Sequence, residues 1–196
     1  MGNYLDSSQP QKQINLLVTG LNNSGKRTAI QMYCEANGFN YDQRINNFQI
    51  IQNLEFSTFK VLLIDLGGNE RTEPIIKRTT NHCGAILYTI DIYDVERKKQ
   101  TKRELKRILN IKEIQSTPIL LVFTKTDLKP NFTFKEIIKY FELDTIKNRV
   151  WSFVLINKNN ADGINKGFEW IKKRGITILK NLICTFEKLY KNIKTF

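Results

Sequence analysis

Histidine occurs once in these 196 residues, at His82, and cysteine only three times, at Cys34, Cys83 and Cys184. So few ligands argue against a zinc site, and an odd, scattered set of thiols does not build a disulfide framework. A reducing, intracellular compartment fits such cysteine usage. No apolar run approaches the ~20 residues of a membrane span. The opening MGNYLDSSQPQKQ has no apolar stretch of the kind a secretory signal requires. No internal repeat, low-complexity segment or second domain is visible. Acidic residues are also scarce: 19 Asp and Glu face 31 Lys and Arg, a net charge of +12. That excess fits an acidic partner such as anionic lipid, nucleic acid or an acidic protein surface. It equally fits drift in a chain rich in Lys, Asn and Ile.

What is present is the composition of one soluble globular domain, 41% hydrophobic and 26% charged. Short apolar runs alternate with helical patterns. Strands are expected at Ile14–Thr19, Gln49–Phe56, Phe59–Asp65, Ala85–Asp91, Pro118–Phe123 and Val150–Leu155. Helices are expected at Lys26–Ala36, Thr72–Asn81, Val95–Leu109, Phe134–Phe141 and from Ile164 onward. The runs AILYTI and ILLVF are apolar at nearly every position, as in parallel strands covered on both faces. Only Ser57-Thr58 separates the second strand from the third, which reads as a hairpin. The pattern predicts an α/β fold, a doubly wound and mostly parallel six-stranded sheet with helices on both faces.

The chemistry concentrates at the ends of strands. Gly20 and Gly25-Lys26 in VTGLNNSGKRT follow the first strand at phosphate-loop spacing. Such a loop turns its backbone N–H groups toward the α- and β-phosphates, and Lys26 reaches the β- and γ-oxygens. Asn22, Asn23, Ser24, Gly25, Lys26, Arg27 and Thr28 are therefore candidate nucleotide-binding residues. Asp65, in IDLGGN, can hold Mg²⁺ through water, and the Gly68 N–H can bond a γ-phosphate that only a residue without a side chain lets so close. Thr124-Lys125-Thr126-Asp127 follows the fifth strand. A carboxylate at Asp127 can accept from both N–H groups on one edge of guanine, and the Lys125 stem can cover the base. Adenine offers no such pair of donors, so this segment favours guanine.

These segments resemble small GTP-binding proteins and, within them, the ADP-ribosylation-factor-like (Arf-like) group. Met1-Gly2-Asn3, Gly20–Lys26, Asp65–Asn69, Thr124–Asp127 and Asp162-Gly163-Ile164 followed by Glu169-Trp170-Ile171 are similar to that family's MGN start, GLDxAGK loop, DVGGQ, NKxD and DGL…DWL segments. The resemblance spans about residues 14–174. It implies a P-loop NTPase small G domain over 14–174, an N-terminal segment 1–13, an extension 175–196, and GTP or GDP as ligand.

Several positions depart from the family pattern. Arg27 stands where the resemblance implies a Mg²⁺-binding hydroxyl, and Thr28 points about 100° away on the helix. Ile45-Asn46-Asn47-Phe48 offers no hydroxyl where the first switch segment should supply a second Mg²⁺ ligand. Asn69 replaces the Gln that orients the attacking water and is one methylene shorter; a misplacement of about 1 Å can cost roughly a hundredfold in rate. Lys158 lies near the position whose backbone N–H meets the guanine carbonyl in the family. The expectation is nucleotide binding with slow or no hydrolysis, and Mg²⁺ left open.

Gly2 is a candidate myristate acceptor, although Asp6 occupies the position where Ser or Thr is favoured. RKKQTKRELKR, from Arg97 to Arg107, places Lys98, Lys102 and Lys106 in one helical row and Lys99, Arg103 and Arg107 in the next. This basic face is either a docking surface for an acidic protein partner or a solvated face. The extension from Gly175 keeps helical spacing through Ile176, Leu179, Leu182, Ile183 and Phe186. It can pack on the body, dock on a partner or lie on a membrane surface. No basic motif interleaved with aromatics argues for nucleic acid. Two readings follow: a regulatory switch that recruits effectors, or a non-cycling G domain serving as a structural or adaptor subunit. A P-loop kinase is a weaker third, disfavoured by Thr124–Asp127.

Overall fold

The computed structural model describes residues 14–41, 51–56, 59–66, 74, 83–128, 133–147 and 149–174. Within them run β1 (Ile14–Leu21), α1 (Lys26–Ala36), β2 (Ile51–Phe56), β3 (Phe59–Leu66), β4 (Ala85–Asp91), α2 (Lys98–Leu109), β5 (Ile119–Thr124), α3 (Phe134–Phe141) and β6 (Trp151–Leu155). A further helix, α4, covers 162–174. The strands form one six-stranded sheet in the order β2-β3-β1-β4-β5-β6. All neighbours are parallel except β2 and β3, which are antiparallel with Phe56 opposite Phe59. This is the doubly wound sheet with one antiparallel edge that the sequence predicts.

Alternation along the strands divides the core in two. Leu16 and Val18 of β1, Leu87 of β4 and Leu120 and Val122 of β5 face α1 and α4. Leu17, Ile86, Tyr88, Leu121 and Phe123 face α2 and α3 on the opposite side. Period-two geometry makes this unavoidable, because successive side chains leave a strand on opposite faces. On the first face the rings of Tyr33 (α1) and Phe168 (α4) stack at 3.8 Å. Phe168 is fully buried, so Phe168→Ala should cost about 3–5 kcal/mol.

The bounds of α1, β4 and α3 coincide with the sequence expectation. Helix α2 starts at Lys98 instead of Val95. The Asp94 carboxylate accepts from the Arg97 N–H at 3.0 Å and holds residues 94–97 as a turn. Strand β5 starts after Pro118, which has no N–H for the ladder but whose carbonyl accepts from Ile86 N at 2.8 Å. The helix expected at Thr72–Asn81 lies outside the described residues, Pro74 excepted.

Strand order reverses around β1, which lies between β3 and β4. In open α/β sheets the crevice beyond the carboxyl ends of the strands at such a point is where ligands bind. Gly20 is in register with Asp65 of β3 and with Thr89 of β4.

Candidate functional site

The chain leaves β1 through Asn22-Asn23-Ser24-Gly25 and enters α1 at Lys26. Asn23 (φ 62°) and Gly25 (φ 87°) both take left-handed backbone, which curls the loop into a concavity of the kind that binds anions. Lys26 is 3% exposed; its Nζ donates to the Gly20 carbonyl at 3.0 Å and the Leu21 carbonyl at 2.6 Å. Ser24 N donates to Leu21 O at 3.1 Å. The Ser24 and Thr89 hydroxyls are 2.5 Å apart, and the Thr124 hydroxyl donates to the Ser24 carbonyl at 3.0 Å. Two strands beneath the loop therefore pin it through hydroxyl groups.

Beside the loop lies a cavity of about 220 Å³. It brings together Gly25, Thr28, Thr124, Lys125, Asp127 and Lys158, drawn from α1, the end of β5 and the loop after β6. Lys125 takes left-handed backbone (φ 58°), and its Nζ pairs with Asp91 Oδ2 at 2.5 Å. That pair ties the ammonium to the end of β4, while Lys125 lines the cavity. Thr126 Oγ1 donates to the Ile156 carbonyl at 3.2 Å, which holds the segment carrying Asp127 against the end of β6.

Sequence reasoning missed four further lining residues: Met32, Leu128, Ile156 and Asn157. Met32 follows Thr28 by one helical turn, so the spacing could have flagged it. Ile156 and Asn157 carry no motif, because they reach the cavity only through the pairing of β6 with β5. Asn157 Oδ1 accepts from Asn159 N at 3.0 Å, and Asn160 Oδ1 from Asp162 N at 2.7 Å. These turns fix the loop that presents Lys158, which is exposed.

Thr28 and not Arg27 faces the cavity, as helical geometry requires of neighbours. Arg27 is half-buried, and its charge acts on Tyr41: burial raises the Tyr41 phenol pKa, and the guanidinium opposes that rise. Of Asp65 only the backbone is described. Gly2, Ile45–Phe48, Gly68, Asn69 and the extension 175–196 lie outside the described residues. Among those described, no three His, Cys, Asp or Glu side chains gather as a metal site.

The basic row on α2 has partners within the chain. Lys102 and Lys106 bind the Glu142 carboxylate at 2.5 and 2.6 Å, and hydrogen bonds from these two ammonium groups hold its pKa down at about 2. The Lys98 ammonium lies 3.9 Å from the Tyr140 ring centroid, a cation–π contact. Arg107 pairs with Glu104 at 2.8 Å. Lys99, Arg103 and Lys106 are exposed, but Lys106 is paired with Glu142 and Arg103 lies 3.7 Å from Glu104, so the six cations do not form one free face.

The sequence model of the ADP-ribosylation factor family matches residues 1–175. ADP-ribosylation factor J of Dictyostelium discoideum is 25% identical over 177 residues, covering 86% of this chain and 89% of that protein. ADP-ribosylation factor-like protein 3 of Chlamydomonas reinhardtii is 26% identical over 167 residues, 81% of this chain and 89% of that one. Among solved structures, the Arl6 BBS3 small GTPase from Trypanosoma brucei with bound nucleotide analogue GppNp superposes with a TM-score of 0.66 at 20% identity, covering 84% of this chain and 98% of its own. That likeness speaks for the fold, and the family match over most of the chain for kinship. The chain belongs to the ADP-ribosylation factor family and has the fold of an Arf-like small GTPase.

Proposed function

We propose that the protein binds GTP or GDP with slow or no intrinsic hydrolysis and acts as a regulatory or adaptor module. The observation that carries this reading is one cavity, lined by Gly25, Thr28, Thr124, Lys125 and Asp127, directly beside a loop whose entry at the end of β1 is held by Lys26 through the Gly20 and Leu21 carbonyls. A carboxylate at Asp127 suits the paired donors of guanine, and the loop amides with Lys26 suit the phosphates. The Lys158 ammonium adds a further cation at the rim.

Magnesium is the part of the family's chemistry for which these residues fit least. The residue after Lys26 is a guanidinium instead of a hydroxyl; it offers a cation no ligand and repels it. Asn69 in place of Gln supports weak water positioning. The same observation at Arg27 favours a second reading, a non-cycling G domain that serves as a structural subunit of a larger protein assembly. Candidate contacts for protein partners are Lys99 and Arg103 on α2 and the extension 175–196, and Gly2 is the candidate for acylation.

Chromatography of the nucleotide released from gently purified protein, with and without chelator, tests the reading. GTP or GDP kept in both cases is the expected result. Nucleotide lost on chelation overturns the magnesium-independent form and favours the switch, and protein that carries and takes up no guanine nucleotide overturns the reading itself.

A further inference from the structure

We propose that Arg97 is a positioning residue for the phosphate loop, coupling it to the start of the basic helix α2; the inference rests on the nucleotide reading. Arg97 lies 75 positions from Asn22, yet its Nη1 donates to the Asn22 carbonyl at 3.1 Å. The rest of the guanidinium is held by Asp94, with Nε 2.6 Å and Nη2 2.5 Å from Oδ2. Asp94 Oδ1 also accepts from the Arg97 backbone N–H at 3.0 Å. Burial alone would raise the Asp94 pKa, but these bonds outweigh it and keep the carboxyl ionised below its ordinary value. The planar fork is thus fixed on two sides before it touches the loop.

The consequence follows from the peptide unit. In a trans peptide the carbonyl of one residue and the N–H of the next point in opposite directions. A donor that captures the Asn22 carbonyl therefore aims the Asn23 amide the other way, and Thr124 does the same for Gly25 through the Ser24 carbonyl. Asn23 is already in left-handed backbone (φ 62°), which Asn adopts more readily than other L residues but which still gains from contacts that hold it. Arg97 supplies that hold from outside the cavity: it lines no part of it. Its role is to aim a backbone donor at phosphate, and anything that displaces residues 94–97 changes the grip of the loop.

The test is release of fluorescent methylanthraniloyl-GDP and -GMP from the full chain, with Arg97→Ala and Arg97→Lys beside the unaltered protein. Loss of one charge-assisted hydrogen bond should speed GDP release in Arg97→Ala about tenfold, with GMP release changed less and Arg97→Lys in between. The Asn23 amide resonance should shift on GDP binding in the unaltered chain and shift less in Arg97→Ala. GDP release within twofold of the unaltered chain overturns the inference. Equal acceleration for GDP and GMP with a lowered melting temperature also overturns it, since it marks a general structural role. If the unaltered chain binds neither nucleotide, the nucleotide reading fails and takes this inference with it.

Discussion

A Cβ placed on Gly20 would lie 2.5 Å from the Thr89 hydroxyl and 2.6 Å from the Thr89 carbonyl oxygen. Gly20 also has φ 146°, which L side chains rarely adopt. The close approach of β1 to β4 at this point lets the loop turn out of the sheet above the Ser24–Thr89 hydroxyl pair. Gly20→Ala should destabilise the fold by about 2 kcal/mol or more. Thr89→Ala should not rescue it, because the backbone oxygen remains. Denaturant titration of the single and double variants checks both statements, and a full rescue contradicts the geometry.

Asp127→Ala should weaken GDP binding about a hundredfold or more, since it removes both acceptors for the guanine donors. The preference for GDP over ADP should narrow by a similar factor. Equilibrium titration with the two labelled nucleotides decides the matter, and an unchanged preference would mean that another group reads the base.

Arg27→Thr should make nucleotide retention depend on magnesium. In the unaltered chain, chelation should change the release rate less than about twofold, whereas the variant should release about tenfold faster without the metal. Equal responses would remove Arg27 from the account of how this site handles charge.

Glu142 ties α3 to α2 through Lys102 and Lys106. Its pKa is depressed from 4.5 to about 2, so its ionised pairs contribute stability that is fully present above pH 4.5 and is lost as the pH falls toward 2. Glu142→Gln should therefore lower stability slightly at pH 7, and the gap from the unaltered chain should close with acid. It should also shrink at high salt, because the carboxylate is in contact with solvent. A gap insensitive to both would point to packing instead of charge.

Local chemistry explains what was readable in advance. The apolar run Ala85–Asp91 and the helical patterns of α1 and α3 each act within a few residues, and the structure adds a left-handed Gly25 before α1 and a Thr133–Glu136 capping box on α3. Their element bounds follow from backbone sterics and hydrogen bonding alone. The phosphate loop and the Thr124–Asp127 segment were legible for the same reason, since each motif is contiguous.

The order of strands around β1 was legible only as a class, because repeated strand–helix units with short links permit few windings. Contacts that join distant segments left no such trace. Six cations on α2 looked alike in sequence, but Glu142 and Tyr140 engage the row of Lys98, Lys102 and Lys106 once α3 packs beside α2. Lys125 reads as a cover for a base, while its ammonium is held by Asp91 across the β4–β5 pair. Arg97 carries no motif, and its bond to Asn22 exists because β1 and β4 are neighbours. The sequence by itself determined the described elements and the family and named the candidate site residues, for these reside in local patterns. Only the tertiary structure decided which charges are neutralised and which backbone groups are aimed, because a side chain's partner is set by the fold that brings remote segments together.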